Sequence, residues 1–271
     1  MAAYIMDAKM SDIPVNGQLD KLLIFRNYPL ELKNRILTKK EGTLGAILVI
    51  GNYDANYGNF TDFDSVSGLE SIAPATKAVT HKMINVELRG LGSNTNDVDI
   101  NALTLVNLSN ASTFKSIRVF ESLDDGIEIF GGNVHMKKIR VRNAADDYFD
   151  TDHKHSGTIN GLQLYQTSKT LGKSLIECGD SKGSTTTKFV NVTFNDGTDL
   201  STYQNNGDDK NLNIKKGSKV TINGVILTKP QDELEKAYIM DAKMSDKETT
   251  PPVIESTYEG SFFFIGYKSY M

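Results

Sequence analysis

A repeat of about two dozen residues constrains this chain more than any other feature. STFKSIRVFESLDDGIEIFGG, from Ser112, aligns with NVHMKKIRVRNAADDYFDTDH, from Asn133, at a spacing of 22 residues. Ile117 falls on Ile139, Arg118 on Arg140, Val119 on Val141, Asp124 on Asp146, Asp125 on Asp147 and Ile127 on Phe149. GLQLYQ continues the series, with Leu164 following Val141 after 23 residues. Each unit holds short alternating apolar runs: Leu103 and Leu105, Ile117 and Val119, Ile127 and Ile129, Ile139 and Val141, Leu162 and Leu164. Alternation at period two means a strand with one face buried. Strands this short are unstable alone but bury a continuous core when stacked at a fixed period. Asn, Asp and Gly fill the corners, as tight turns require. The expected fold is therefore all-β, a right-handed parallel β-helix.

Less regular units flank the centre. GAILVIGN and MINVELRG read as earlier rungs, and KFVNVTF and LNIKKGSKVTINGVILTK as later ones. The expected division is an arm and cap over residues 1–40, a β-helix body over 41–229, and a second arm over 230–271. LDKLLIFRNYPLELKNRILTK is expected to form a short capping helix, since an uncovered terminal rung invites aggregation.

A second feature is an identical ten-residue peptide. AYIMDAKMSD occupies Ala3 to Asp12 and recurs at Ala237 to Asp246. It is either a duplication or cloning scar without function, or a docking peptide presented twice. Tyr4, Ile5, Met6 and Met10, with Tyr238, Ile239, Met240 and Met244, lie outside the coil repeat. With the tail residues Phe262, Phe263 and Phe264, they are expected to be covered by a partner.

Composition narrows the classes. Of 271 residues, 39% are hydrophobic and 24% charged, with a formal charge of −4, which argues against disorder and against general attraction to nucleic acid. No apolar run reaches the length of a membrane span, and no secretory signal is visible. The lone Cys178 reads as a small packed side chain.

The run from Asn101 to Gln166 resembles a group of bacterial surface β-helix proteins, often lipoproteins. The motifs are DDGIE-x-FGG-x-V (Asp124 to Val134), a second DD (Asp146, Asp147), D-x-D (Asp150, Asp152) and a Gly-containing strand (Gly157 to Leu164). The resemblance implies the parallel β-helix and brings with it no established enzyme activity. The chain departs from that group in lacking a lipobox Cys.

The chemistry is concentrated in Asp124, Asp125, Glu128, Asp146, Asp147, Asp150 and Asp152, beside His153 and His155. At a 22-residue period Asp125 stacks on Asp147 and Glu128 on Asp150. Carboxylates that close repel unless protonated, hydrogen-bonded or bridged by a cation. Asp125, Glu128, Asp147 and Asp150 are thus candidate Ca²⁺ ligands. The plainer and preferred reading is that these Asp side chains cap turns. TDHKHSG superficially resembles the D-x-D and G-H-G elements of polygalacturonases, but Ser156 follows His155 and no Arg-x-Lys partner appears downstream. No catalytic residue and no cofactor other than Ca²⁺ is assigned. His153 and His155 would share one face of a strand, leaving a metal without a third ligand. An outward strip of Arg118, Arg140, Arg142 and Tyr165 is a candidate sugar- or protein-binding face, or an ordinary solvated face paired with Glu121 and Glu128.

These readings favour a non-enzymatic virion protein, a phage capsid cement or decoration protein or short fibre. Its arms would grip the major capsid protein at the virion surface, and homo-oligomers are open. The alternatives are a bacterial cell-surface or secreted adhesin binding glycans, and then a polysaccharide lyase or hydrolase.

Overall fold

A computed structural model of the chain describes residues 4–51, 79–95, 98–166, 174–179, 185–196, 210–214, 218–223, 226–227 and 253–257. These form a right-handed parallel β-helix of two stacked sheets. The first sheet runs β1 (Tyr4–Met6), β3 (Leu22–Phe25), β5 (Ala46–Ile50), β9 (Leu103–Val106), β11 (Ile127–Phe130), β13 (Phe149–Asp152), β15 (Ser174–Cys178) and β18 (Lys210–Ile214). The second runs β2 (Gln18–Leu19), β4 (Glu31–Lys39), β6 (Lys82–Arg89), β10 (Thr113–Phe120), β12 (Met136–Arg142), β14 (Thr158–Gln166), β16 (Lys188–Val190), β19 (Lys219–Asn223) and β21 (Val253–Thr257). Beside it, β17 (Thr193–Asp196) joins β14 and β20 (Ile226–Leu227) joins β17. A small antiparallel pair, β7 (Ser93–Thr95) and β8 (Val98–Ile100), lies between β6 and β9 in the chain.

The register is the one the repeat dictates. Ile117, Arg118 and Val119 lie opposite Ile139, Arg140 and Val141. These pair in turn with Leu162, Gln163 and Leu164. Inward side chains from both sheets make one core that includes Phe25, Val86, Phe114, Ile129, Val141, Phe149 and Phe189. The later rungs expected from KFVNVTF and LNIKKGSKVTINGVILTK are present as β16 to β20.

Residues 19–39 differ from the expected helix. They form β3 and β4, with all four residues of Leu22–Phe25 buried. The reason is that sheet 1 is covered on both faces here. Leu23 and Phe25 enter the main core, while Leu22 and Ile24 join an outer cluster with Leu48, Val106 and Phe130. A continuous apolar run is what a doubly buried parallel strand demands.

The boundary at residue 40 therefore does not mark the start of the body. β1 pairs in parallel with β3, matching Tyr4 to Leu22, Ile5 to Leu23 and Met6 to Ile24. The expectation that the first peptide lacks a place on the stack is corrected: Ala8 is fully buried, and Ile5 packs against the core. At the other end, β21 extends the stack beyond residue 229. Tyr238, Ile239, Met240, Met244 and Phe262 to Phe264 lie outside the described residues.

The corners are built from left-handed backbone. Asn34, Asn85, Ser116, Lys138, Gly161 and Asn191 have φ between 53° and 76° and bend successive coils of sheet 2 at one place. Asn85 donates to the Asn34 side chain at 2.8 Å, tying two of these bends together. Gly90, Glu121 and Asn143 repeat the device at a second corner, and Asn107, Gly131 and His153 at a third. Asn and Gly suit these sites because they tolerate positive φ.

Candidate metal centre

Sheet 1 carries the candidate site on its outward face. Ile127 and Ile129 of β11 enter the core, which leaves Glu128 and Phe130 facing out. The same alternation turns Asp150 and Asp152 of β13 outward. Along the stack, Thr104, Glu128, Asp150, Glu177 and Asn213 form one column of consecutive Cα partners. Toward β1 that column becomes apolar through Leu48 and Ile24. The outward face thus changes from hydrocarbon to acid between β5 and β11.

The loops entering β11 and β13 add two Asp pairs. Asp147 donates its backbone N–H to Asp125 Oδ1 at 2.8 Å. Asp124 Oδ1 accepts from the Asn94 amide at 3.0 Å. The Asn101 amide donates to Glu128 and also to Thr104 Oγ1 at 3.2 Å. Asp125 thus caps a backbone N–H of the neighbouring coil.

Capping does not use all the oxygen. Three sets each place one carboxylate oxygen per residue within 4.8 Å of the others: Asp124, Asp125 and Asp146; Asp125, Asp147 and Asp150; Glu128, Asp150 and Asp152. Asp150 belongs to the last two. It is only 4% exposed, and its Oδ1 is buried without a hydrogen-bond partner. An unsatisfied buried carboxylate oxygen is costly. Burial pushes the Asp150 carboxyl well above the usual range, and the charges of Asp152, Glu177, Glu128 and Asp125 push it further. Asp125 is raised in the same way, by burial and then by Asp147 and Glu128.

Oxygens on opposite sides of a Ca²⁺ ion bound at about 2.4 Å are about 4.8 Å apart, so each set fits around one such cation. The four residues named from the sequence are brought together, with Asp150 at the centre. Sequence reasoning missed Glu177, Thr104 and Asn101. Glu177 lies 27 residues after Asp150, so the longer coil breaks the spacing that would have revealed it.

The histidines are not ligands in a strand. His153 and Lys154 have φ of 51° and 65°, so the H-x-H segment turns a corner. His153 packs edge-on against Phe130 at 5.0 Å. His155 is buried, 2.8 Å from Thr187 Oγ1. Thr187 donates to Thr151 Oγ1, which donates to Cys178 Sγ, a polar thread inside the coil. Cys178 is fully buried, and that burial pushes its thiol up.

The Arg strip lies on sheet 2, on a different face of the stack. Arg118 bonds Glu87 at 2.9 Å, and Arg140 bonds Gln163 at 2.9 and 2.7 Å while lying over Tyr165 at 5.2 Å. Arg142 lies 3.8 Å from Glu121. The expected pairing with Glu128 is corrected, because Glu128 belongs to sheet 1 and Glu87 takes its place. The strip satisfies itself from neighbouring rungs.

No curated protein and no solved structure matches the chain. One family does: the stacked parallel coils agree with a family match over residues 1–255, and the chain belongs to the pectate-lyase-like β-helix domain family.

Proposed function

We propose that this chain is a non-enzymatic structural β-helix in which a divalent cation, Ca²⁺ by its ligand chemistry, ties successive coils together through Asp125, Glu128, Asp147, Asp150 and Asp152. The observation that carries this reading is the buried, unpartnered Asp150 Oδ1 where two carboxylate sets meet. A hydrolase or lyase needs acid and base groups within reach of a sugar. Here Asp125, Glu128, Asp147, Asp150 and Asp152 are each less than 9% exposed. Buried carboxylates of this kind favour an ion over a polymer as the ligand.

The setting we propose is an outer surface, a virion shell ahead of a bacterial cell surface. Contacts there would come from the Phe262 to Phe264 tail, with the Arg118–Arg140 strip as a further face for protein or glycan. The test is calorimetric titration with Ca²⁺, run beside a depolymerisation assay on acidic polysaccharides. Ca²⁺ binding that Asp150→Asn abolishes, with no sugar released, is the expected result. Sugar release that Asp150→Asn abolishes would replace this reading with the enzymatic one.

A further inference from the structure

The first copy of AYIMDAKMSD shows what the second copy can bind. Its seat is specific. Tyr4 to Met6 form a parallel strand on Leu22 to Ile24, and Ala8 donates its N–H to Ile24 O at 2.8 Å. Asp7 accepts two hydrogen bonds from Arg26, at 3.0 and 2.9 Å, and one from the Asn27 amide at 2.9 Å. Met10 Sδ accepts from the Glu31 N–H at 3.2 Å, and Asp12 closes the turn on the Lys9 N–H at 2.7 Å. On the peptide side, these contacts use only residues that recur unchanged between Ala237 and Asp246.

The second copy cannot take this seat in its own chain while β21 keeps its place. Sheet 2 has eight inter-strand steps from β2, on the coil begun by β1, to β21. At about 4.8 Å each they span about 38 Å. Only seven residues lead from Asp246 to Val253, and seven extended residues reach about 25 Å. A neighbouring molecule has no such limit.

We propose that the second copy is a donor strand: Tyr238 to Asp246 of one molecule replaces Tyr4 to Asp12 on the first rung of another copy of this chain, giving head-to-tail assembly. This is strand exchange, in which bonds lost and gained are nearly the same. Its equilibrium is set by the tether, which gives a molecule's own first copy a high local concentration. Ile13, buried in the seated peptide, is replaced by Lys247 after the second copy. The resident strand therefore has the advantage, and exchange grows with protein concentration. The inference does not depend on the cation reading, since no ligand of the acidic cluster takes part.

Two variants of the full chain test it with opposite signs. Asp7→Arg sets a cation against Arg26 and weakens the resident strand, so sedimentation should show association at least tenfold tighter than in the parent. Adding Asp241→Arg weakens the donor as well and should return the chain to monomer. A chain carrying Leu22→Cys and Tyr238→Cys provides a readout that leaves the Asp7 contacts intact. These positions correspond to the Tyr4–Leu22 pair, and oxidation should give a ladder of disulfide-linked multimers. Association unchanged by Asp7→Arg, or equal in the single and double charge variants, would overturn the proposal. So would oxidation that yields only monomers.

Discussion

Glu128 and Asp150 are Cα partners on adjacent rungs, side by side on the outward face of sheet 1, and both are buried. Two carboxylates one strand-spacing apart cannot both ionise in a dry site without a counter-charge or added hydrogen bonds. The Asn101 amide supports Glu128, whereas Asp150 Oδ1 has no partner. That asymmetry makes Asp150 the atom-level focus of the cation reading. It also separates the acidic column from the Arg strip of sheet 2, where Arg118 pairs with Glu87 and Arg140 bonds the neutral Gln163 amide.

The stacked core gives the first prediction. Val141 lies fully buried between Val119 and Leu164. Val141→Asp should cost several kcal/mol, because it buries a charge with no partner. Urea denaturation checks this, and Val141→Ile, which keeps the chemistry, should cost about 1 kcal/mol by overpacking.

The left-handed corner gives the second. Lys138 has φ of 58°, at the bend where the next rung already carries Gly161. A β-branched residue is strained there, while glycine is at ease. Lys138→Val should lose about 1–2 kcal/mol. Lys138→Gly should match or exceed the parent. Thermal melts of the two variants should therefore move in opposite directions or differ by several degrees.

His81 gives a pH prediction. Its Nδ1 accepts from the Leu30 N–H at 3.1 Å, which leaves Nε2–H to donate to Ile50 O at 3.1 Å. Burial pushes its pKa down to about 4, against about 6.5 in the unfolded chain. Between those values the unfolded state binds more protons, so stability rises with pH. The contribution is complete above about pH 6.5 and is lost as pH falls through 4. It amounts to about 3 kcal/mol. The buried carboxyls of Asp125 and Asp150, raised above their unfolded values, act in the opposite sense, so the parent profile alone mixes the two. The stability difference between the parent and His81→Asn isolates the imidazole and should shrink by about that amount from pH 7 to pH 4.

Much of this was legible in the sequence for one reason. Where coils keep 22 residues, as from Ile117 to Ile139, spacing predicts register directly, and the stacking of Glu128 on Asp150 follows. Where a coil lengthens, as between Asp150 and Glu177, the same reasoning fails. Residues 19–39 mislead because a strand buried on both faces has no alternation, so Leu22 to Phe25 could pass for one side of a helix. The first peptide misled because its apolar residues do not match the central repeat. Among the described residues β1 pairs only with β3, so it need not obey that repeat. His153 and His155 were read in an extended strand, and nothing in HKH itself announces two consecutive left-handed residues.

The central claim is that Asp150 completes a cation site, and thermal unfolding with and without a Ca²⁺ chelator tests it most directly. An ion bound at one hundred times its Kd stabilises by about 2.7 kcal/mol. For a domain of this size that corresponds to a shift of several degrees. The account predicts that chelation lowers the parent's melting temperature by that amount and that Asp150→Asn is insensitive to it. Asp150→Asn should also melt no lower than the chelated parent, since an amide there cannot add charge to the acidic column. An identical melting temperature for the parent in Ca²⁺ and in chelator would contradict the account and leave the acidic column as turn caps alone.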